Sequence, residues 1–192
     1  LGVHRSTLSA KRAIKLVSDL SRLPGLIAEM IDDDGRCEQL AHDRLGDKRH
    51  LLYLGRGALH PMAMEGALKM KELAYIHAEG YPAGEMKHGP IALISADMPT
   101  VALAPQGPLY DKMVGNINEV KARGGEVIAL VTCGDTTMPG LADEVLWVPE
   151  APEWIVPMIT LIPMQQLAYH TSVALGHNPD KPRNLAKSVT VE

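Results

Sequence analysis

His50-Leu51-Leu52-Tyr53-Leu54, followed by Gly55-Arg56-Gly57, is a short apolar run that ends on a glycine-flanked turn. A run this short, apolar throughout, predicts a strand buried on both faces. Pro61 then sits at a first-turn position, which predicts a helix over about 61–79. The alternation continues with a strand over Pro99–Ala104 and a helix over Leu109–Arg123, stopped by Gly124-Gly125. Strands over Glu126–Thr132 and Val145–Val148 follow, then a helix over Pro152–Leu175 closed by Gly176. Apolar strands alternating with helices predict an α/β fold, a parallel sheet covered on both faces. Ligands of such sheets gather beyond the carboxyl ends of the strands. Arg56 and the start of the first of these helices are therefore expected at the rim of a site.

Upstream of this block, Leu8, Ala13, Ile14, Val17, Leu20 and Leu23 recur at helical spacing over Ser6–Leu23, with Pro24-Gly25 expected to end the helix. A second helical stretch over Leu26–Met30 and a third over Cys37–Leu45 flank the acidic turn Asp32–Gly35. Beyond His177 the chain carries Pro179 and Pro182 without periodicity and reads as an irregular tail. The chain starts without Met inside a helical pattern, so a longer protein is expected.

The 192 residues are 46% hydrophobic, enough for one well-packed core. A net charge of −4 with interspersed signs argues against nucleic acid as a partner. No apolar run is long enough to span a membrane, and no leader pattern is visible. Cys37 and Cys133 lack metal-ligand spacing and read as reduced thiols of a cytoplasmic protein. No metal and no cofactor is implied; the spacings of His60, His77 and His88 match no ligand pattern.

Glu65, Lys69 and Glu72 lie at i, i+4 and i+7, on one narrow helix face. Two carboxylates flanking an ammonium can move protons, although Glu–Lys pairs also decorate solvated faces. His88 lies in the Gly- and Pro-marked segment Gly80–Pro90, where it either meets a ligand or is an ordinary loop histidine. Arg56 offers a guanidinium to an anion, but a tight strand-to-helix turn accounts for Gly55-Arg56-Gly57 equally well. Lys187, in the tail PRNLAKSVTVE (182–192), is a lysine that folding over a site could turn into a carbonyl nucleophile; a frayed terminus is the alternative. Thr132–Thr137 reads as a polar turn.

Taken in order, LGRG, EGALKMKELAYIHAEGYPAGEMKHGPIALI, MPTVALAP, NINEVKARGGEV, PMQQLAYHTSVALG and PRNLAKSVTVE resemble the second sugar-isomerase (SIS) lobe of the glucosamine-6-phosphate synthase family. The resemblance implies a three-layer α/β/α SIS domain with a flavodoxin-like parallel sheet. It divides the chain into connector helices (1–45), the SIS lobe (46–176) and a tail closing over the active site (177–192). It implies conversion of fructose-6-phosphate and glutamine-derived ammonia to glucosamine-6-phosphate. In that family Glu72 is the base between C1 and C2, Lys69 assists at the neighbouring oxygen, and Glu65 belongs to the same cluster. Lys187 forms the Schiff base, Ala186 gives a backbone contact, and His88 assists ring opening in the neighbouring subunit of a homodimer. The family's phosphate-binding Ser/Thr loops and its glutaminase domain have no counterpart in these residues, so the chain alone is expected to be inactive. The alternative is a non-catalytic SIS domain that binds a sugar phosphate as a regulator; it requires neither Glu72, His88 nor Lys187.

Overall fold

The computed structural model describes residues 4–5, 7–32 and 35–185. Five parallel strands form one sheet: β1 (His50–Gly55), β2 (His77–Pro82), β3 (Thr100–Leu103), β4 (Val127–Thr132) and β5 (Glu144–Val148), in the order β2-β1-β3-β4-β5. That order makes β1/β3 the point where the winding reverses, as in flavodoxin-like sheets. Register pairs His50 with His77 on one side of β1 and Leu52 with Thr100 on the other.

The strands alternate their side chains between two apolar layers. Leu51, Tyr53, Val101, Leu103, Ile128 and Leu130 pack toward α3 (Leu59–Lys69) and α5 (Val156–Ala174). Leu52, Leu54, Ala102, Ala129 and Val131 pack toward α4 (Tyr110–Lys121) and the short helical turns Ala83–His88 and Pro90–Leu93. Both faces are thus covered, as the all-apolar strands require.

Three expectations need correction. Pro24-Gly25 does not end the first helix: α1 runs unbroken over Ala10–Ile31, capped by the Ser9 side chain, which accepts from Arg12 N–H. Its last turns bury Leu26 and Met30 against Ile155 and Ile159 of the α5 region, and that contact carries the helix past a residue lacking an N–H. The first Rossmann-type helix also stops early. After α3 the backbone widens into a turn of i→i+5 bonds over Met70–Ala74 and ends at Tyr75, whose φ of 58° is left-handed. Residues 77–82 then form β2, a strand that the periodicity does not announce. As an edge strand it pairs, among the described residues, only with β1 and leaves His77 and Glu79 exposed, so it lacks the apolar run of the inner strands. The third helix, α2 (Arg36–Leu40) with its continuing turn Ala41–Leu45, lies where expected; Arg44 and Arg36 tie it to Glu144 of β5.

Gly80 explains how the edge strand fits. A Cβ there would stand 2.4 Å from Met64 Cα, so α3 can lie on β2 only because residue 80 has no side chain.

Candidate active site

Helix α3 returns antiparallel to β1, so its chemistry is distributed along the height of the sheet. The run from Leu59 to Glu72 rises about 20 Å, from the carboxyl edge of the strands to their amino edge. Glu65, Lys69 and Glu72 do share one face. Lys69 Nζ donates to Glu72 Oε2 at 2.6 Å and lies 3.5 Å from Glu65 Oε1. The three side chains are 28–36% exposed, which leaves them open to a ligand while partly desolvated. The hydrogen bond to Glu72 holds the Lys69 ammonium above its ordinary pKa; burial opposes this, and the charges of Glu72 and Glu65 add to the bond. A carboxylate beside a permanently charged ammonium can take a proton from a carbon acid while the ammonium steadies the oxygen that gains charge.

Glu72 lines a hollow of about 250 Å³ with Lys71, Tyr75, Arg183, Asn184 and Leu185. The far wall is therefore the start of the tail. It is held by Tyr75: the Arg183 N–H donates to the Tyr75 hydroxyl at 2.8 Å, the guanidinium carbon sits 4.0 Å from the ring centre, and His177 packs on the ring at 4.6 Å. Ala186 and Lys187 lie outside the described residues.

Arg56 and His88 are not part of this cluster. Arg56 ends up at the carboxyl edge, where Nη1 donates to Asn116 Oδ1 at 2.6 Å. It borders the β1/β3 crevice, a narrow space of about 80 Å³ walled mostly by apolar side chains such as Leu59, Leu103, Leu109 and Met113. Gly55-Arg56-Gly57 itself is a tight turn: Leu59 N–H bonds Arg56 O at 3.0 Å and His60 N–H bonds Gly57 O at 3.1 Å. Arg56 thus stands at the carboxyl-edge rim as expected of its position after β1, while the direction of α3 carries Glu65, Lys69 and Glu72 away from it.

His88 closes the turn after β2, also toward the carboxyl edge. Its side chain is 74% exposed, with Glu85 at 3.6 Å. Neighbouring Lys87 is anchored to Glu119 at 2.8 Å, a bond that lowers the Glu119 pKa. Within one copy of the chain, His88 follows the carboxyl end of β2 whereas Glu72 precedes its amino end, so the two lie toward opposite edges of the sheet.

Thr132–Thr137 is the polar turn expected. The Asp135 carboxylate accepts from the N–H groups of Thr137 and Met138 and from Gln106 Nε2, each at 2.8 Å. Among the described residues no cluster of His, Cys, Asp or Glu could hold a metal, and no helix is long and apolar enough to cross a membrane.

Sequence reasoning missed Tyr75, His177 and Arg183. Nothing in the sequence marks Tyr75 as left-handed, and the partners of its ring are more than a hundred residues away.

A sequence profile described as SIS domain matches residues 44–175. Over 191 residues the chain is 50% identical to the glutamine–fructose-6-phosphate aminotransferase [isomerizing] of Thermus thermophilus, covering 100% of this chain and 32% of that protein. The corresponding aminotransferase of Bacteroides thetaiotaomicron is 48% identical over 192 residues, 100% of this chain and 31% of that one. The chain thus spans about a third of the length of these relatives. Among solved structures, the C-terminal domain of glucosamine-fructose-6-phosphate aminotransferase from Francisella tularensis superposes with a TM-score of 0.84 at 36% identity, over 92% of this chain and 49% of that one. The tagatose-6-phosphate ketose/aldose isomerase of Escherichia coli shares the fold, with a TM-score of 0.71 at 18% identity over 88% and 47% of the two chains.

Proposed function

Since this chain belongs to the SIS domain family, we propose that it is the isomerising C-terminal part of a longer glutamine–fructose-6-phosphate aminotransferase, acting on fructose-6-phosphate to give glucosamine-6-phosphate. The observation that carries this reading is the Lys69–Glu72 pair, 2.6 Å apart, beside a hollow that the lead-in of the tail walls off. Likeness along the whole of this chain to about a third of aminotransferases of that name supports it.

In this reading Lys187 attacks the ketose carbonyl and forms an imine with loss of water, which holds the open-chain sugar. Ammonia, released from glutamine by a part of the protein outside this chain, replaces the lysine at C2. Glu72 then takes the C1 proton and returns it to C2, with Lys69 steadying the oxygen and Glu65 setting the lysine between two carboxylates. Leu185 borders the Glu72 hollow, and two further residues add at most about 7 Å of backbone. That makes Lys187 and the Ala186 backbone reachable from the same sugar. His88, exposed and remote from its own Glu72, serves the site of a second copy in a homodimer. The helices before residue 46 are the connector, the segment after 176 the closing tail, and the cytoplasm, where sugar phosphates and free thiols coexist, is the compartment.

Arg56 is bound to Asn116 in a crevice walled mostly by apolar side chains. We therefore assign it to the carboxyl-edge turn and not to the reacting sugar.

The test is a chimera in which this chain replaces the matching third of the Thermus thermophilus aminotransferase. It should form glucosamine-6-phosphate, and Glu72→Gln should lower kcat by about two to four decades. A Glu72→Gln chimera that still isomerises at an undiminished rate would refute the assignment.

A further inference from the structure

On the other side of the Tyr75–Arg183 stack from Glu72 lies a second hollow, of about 390 Å³. Its basic side chains come from three separate stretches of chain: Lys48 and Arg49 lead into β1, the His77 imidazole opens β2, and the His177 imidazole and Arg183 follow α5. Tyr75 forms part of the wall, and among the described residues no carboxylate belongs to the lining.

These charges are poorly compensated. Lys48 is only 17% exposed, yet its one ion-pair partner among the described residues is Asp47, 3.6 Å away and 81% exposed. Arg49 has no ion pair or side-chain hydrogen bond among the described residues, and its backbone carbonyl is occupied by the His77 N–H at 3.0 Å. The His77 imidazole has Glu79 as its one carboxylate neighbour among the described residues, at 3.6 Å across an exposed edge. The Arg183 guanidinium carbon lies 4.0 Å from the centre of the Tyr75 ring, and that guanidinium has no ion pair or side-chain hydrogen bond among the described residues. A largely buried ammonium whose counter-ion is itself solvent-exposed keeps a desolvation cost that a bound anion offsets. The left-handed Tyr75 is a strained residue at the boundary of both hollows, which is where ligand sites tend to hold such strain.

We propose that this hollow is an anion site, built for the phosphate group of a small phosphate ester or for free phosphate. Convergence of Lys48, Arg49 and Arg183 with two imidazoles on a compact volume suits a small dianion. An extended polyanion would need a basic stripe, and the chain's net charge of −4 disfavours it. The site is distinct from the Glu72 hollow: they share Tyr75 and Arg183, but Lys48, Arg49, His77 and His177 border only this one. The proposal does not depend on Glu72 being a catalytic base.

The experiment follows the imidazole resonances of His77 and His177 in the 192-residue chain during titration with inorganic phosphate and, separately, with fructose 6-phosphate. Sodium chloride at matched ionic strength and neutral fructose are the controls. Both resonances should shift with saturation in phosphate, and Arg49→Gln, at an exposed position, should weaken that saturation by about fivefold or more. Glu72→Gln should leave it intact. Tighter saturation by fructose 6-phosphate identifies an ester as the occupant, and equal saturation identifies the free anion. Shifts reproduced by chloride, shifts that never saturate, or an Arg49→Gln chain that binds phosphate unchanged would each overturn the proposal.

Discussion

Arg183 is bound to Tyr75 twice: its backbone N–H reaches the phenol oxygen at 2.8 Å, and its guanidinium carbon lies 4.0 Å from the centre of the same ring. This residue pair joins the end of α3 to the beginning of the tail and separates the two hollows. Tyr75→Phe should cost about 1 kcal/mol through the lost hydrogen bond while keeping the stack. Tyr75→Ala should release the segment 177–185, and trypsin should cut after Arg183 about tenfold faster. Equal cleavage rates in the two variants would show that the ring does not hold the tail.

Gly80 should tolerate no side chain. A Cβ would meet Met64 Cα at 2.4 Å and Met64 N at 2.5 Å, and backbone atoms cannot step aside by changing rotamer. Gly80→Ala is expected to destabilise the chain by about 2 kcal/mol or more, read as a lower urea midpoint. An unchanged midpoint would mean that α3 can lift off β2 at little cost.

Acid should weaken the fold in a defined window. Asp143 is partly buried, which raises its pKa, but Lys121 at 2.6 Å and the Val127 N–H at 2.7 Å outweigh burial and leave the folded value below normal. A depressed carboxylate contributes stability that is fully present above the unfolded value of about 3.9 and is lost as pH falls through the folded value. Asp135 is depressed in the same direction: burial raises it, and hydrogen bonds from its neighbours overcome that. Urea midpoints should therefore hold from neutrality to about pH 4 and fall below it. Asp143→Asn should be less stable at pH 7 but lose less on acidification. An Asn variant with the wild-type acid slope would remove Asp143 from the account.

Pro24 offers the opposite sign. It sits exposed inside α1, where it supplies no N–H to the preceding turn. Pro24→Ala restores that donor and should stabilise the chain by about 1–3 kcal/mol, less whatever the freer unfolded chain takes back. Thermal unfolding checks it; a lower Tm would show that the proline is accommodated without cost.

The inner strands were legible because burial on both faces leaves an apolar run, as in residues 50–54 and 127–132, and the helix between two such strands follows from chain reversal. The common face of Glu65, Lys69 and Glu72 was equally legible, since 3.6 residues per turn is a local property. The edge strand β2 was not, because pairing on one side only imposes no apolar pattern. Nor was the continuation of α1 through Pro24, which rests on Leu26 and Met30 meeting Ile155 and Ile159 far along the chain.

Local spacing alone therefore determined the alternating α/β order and the carboxylate–ammonium triplet on one helix. Tertiary structure decided which end of the sheet that triplet occupies, that Arg56 and His88 lie apart from it, and that Tyr75 gathers His177 and Arg183 beside it. The division has a simple cause. Backbone periodicity is encoded within a few residues, whereas the encounter of Tyr75 with a segment more than a hundred residues later depends on how every intervening layer packs.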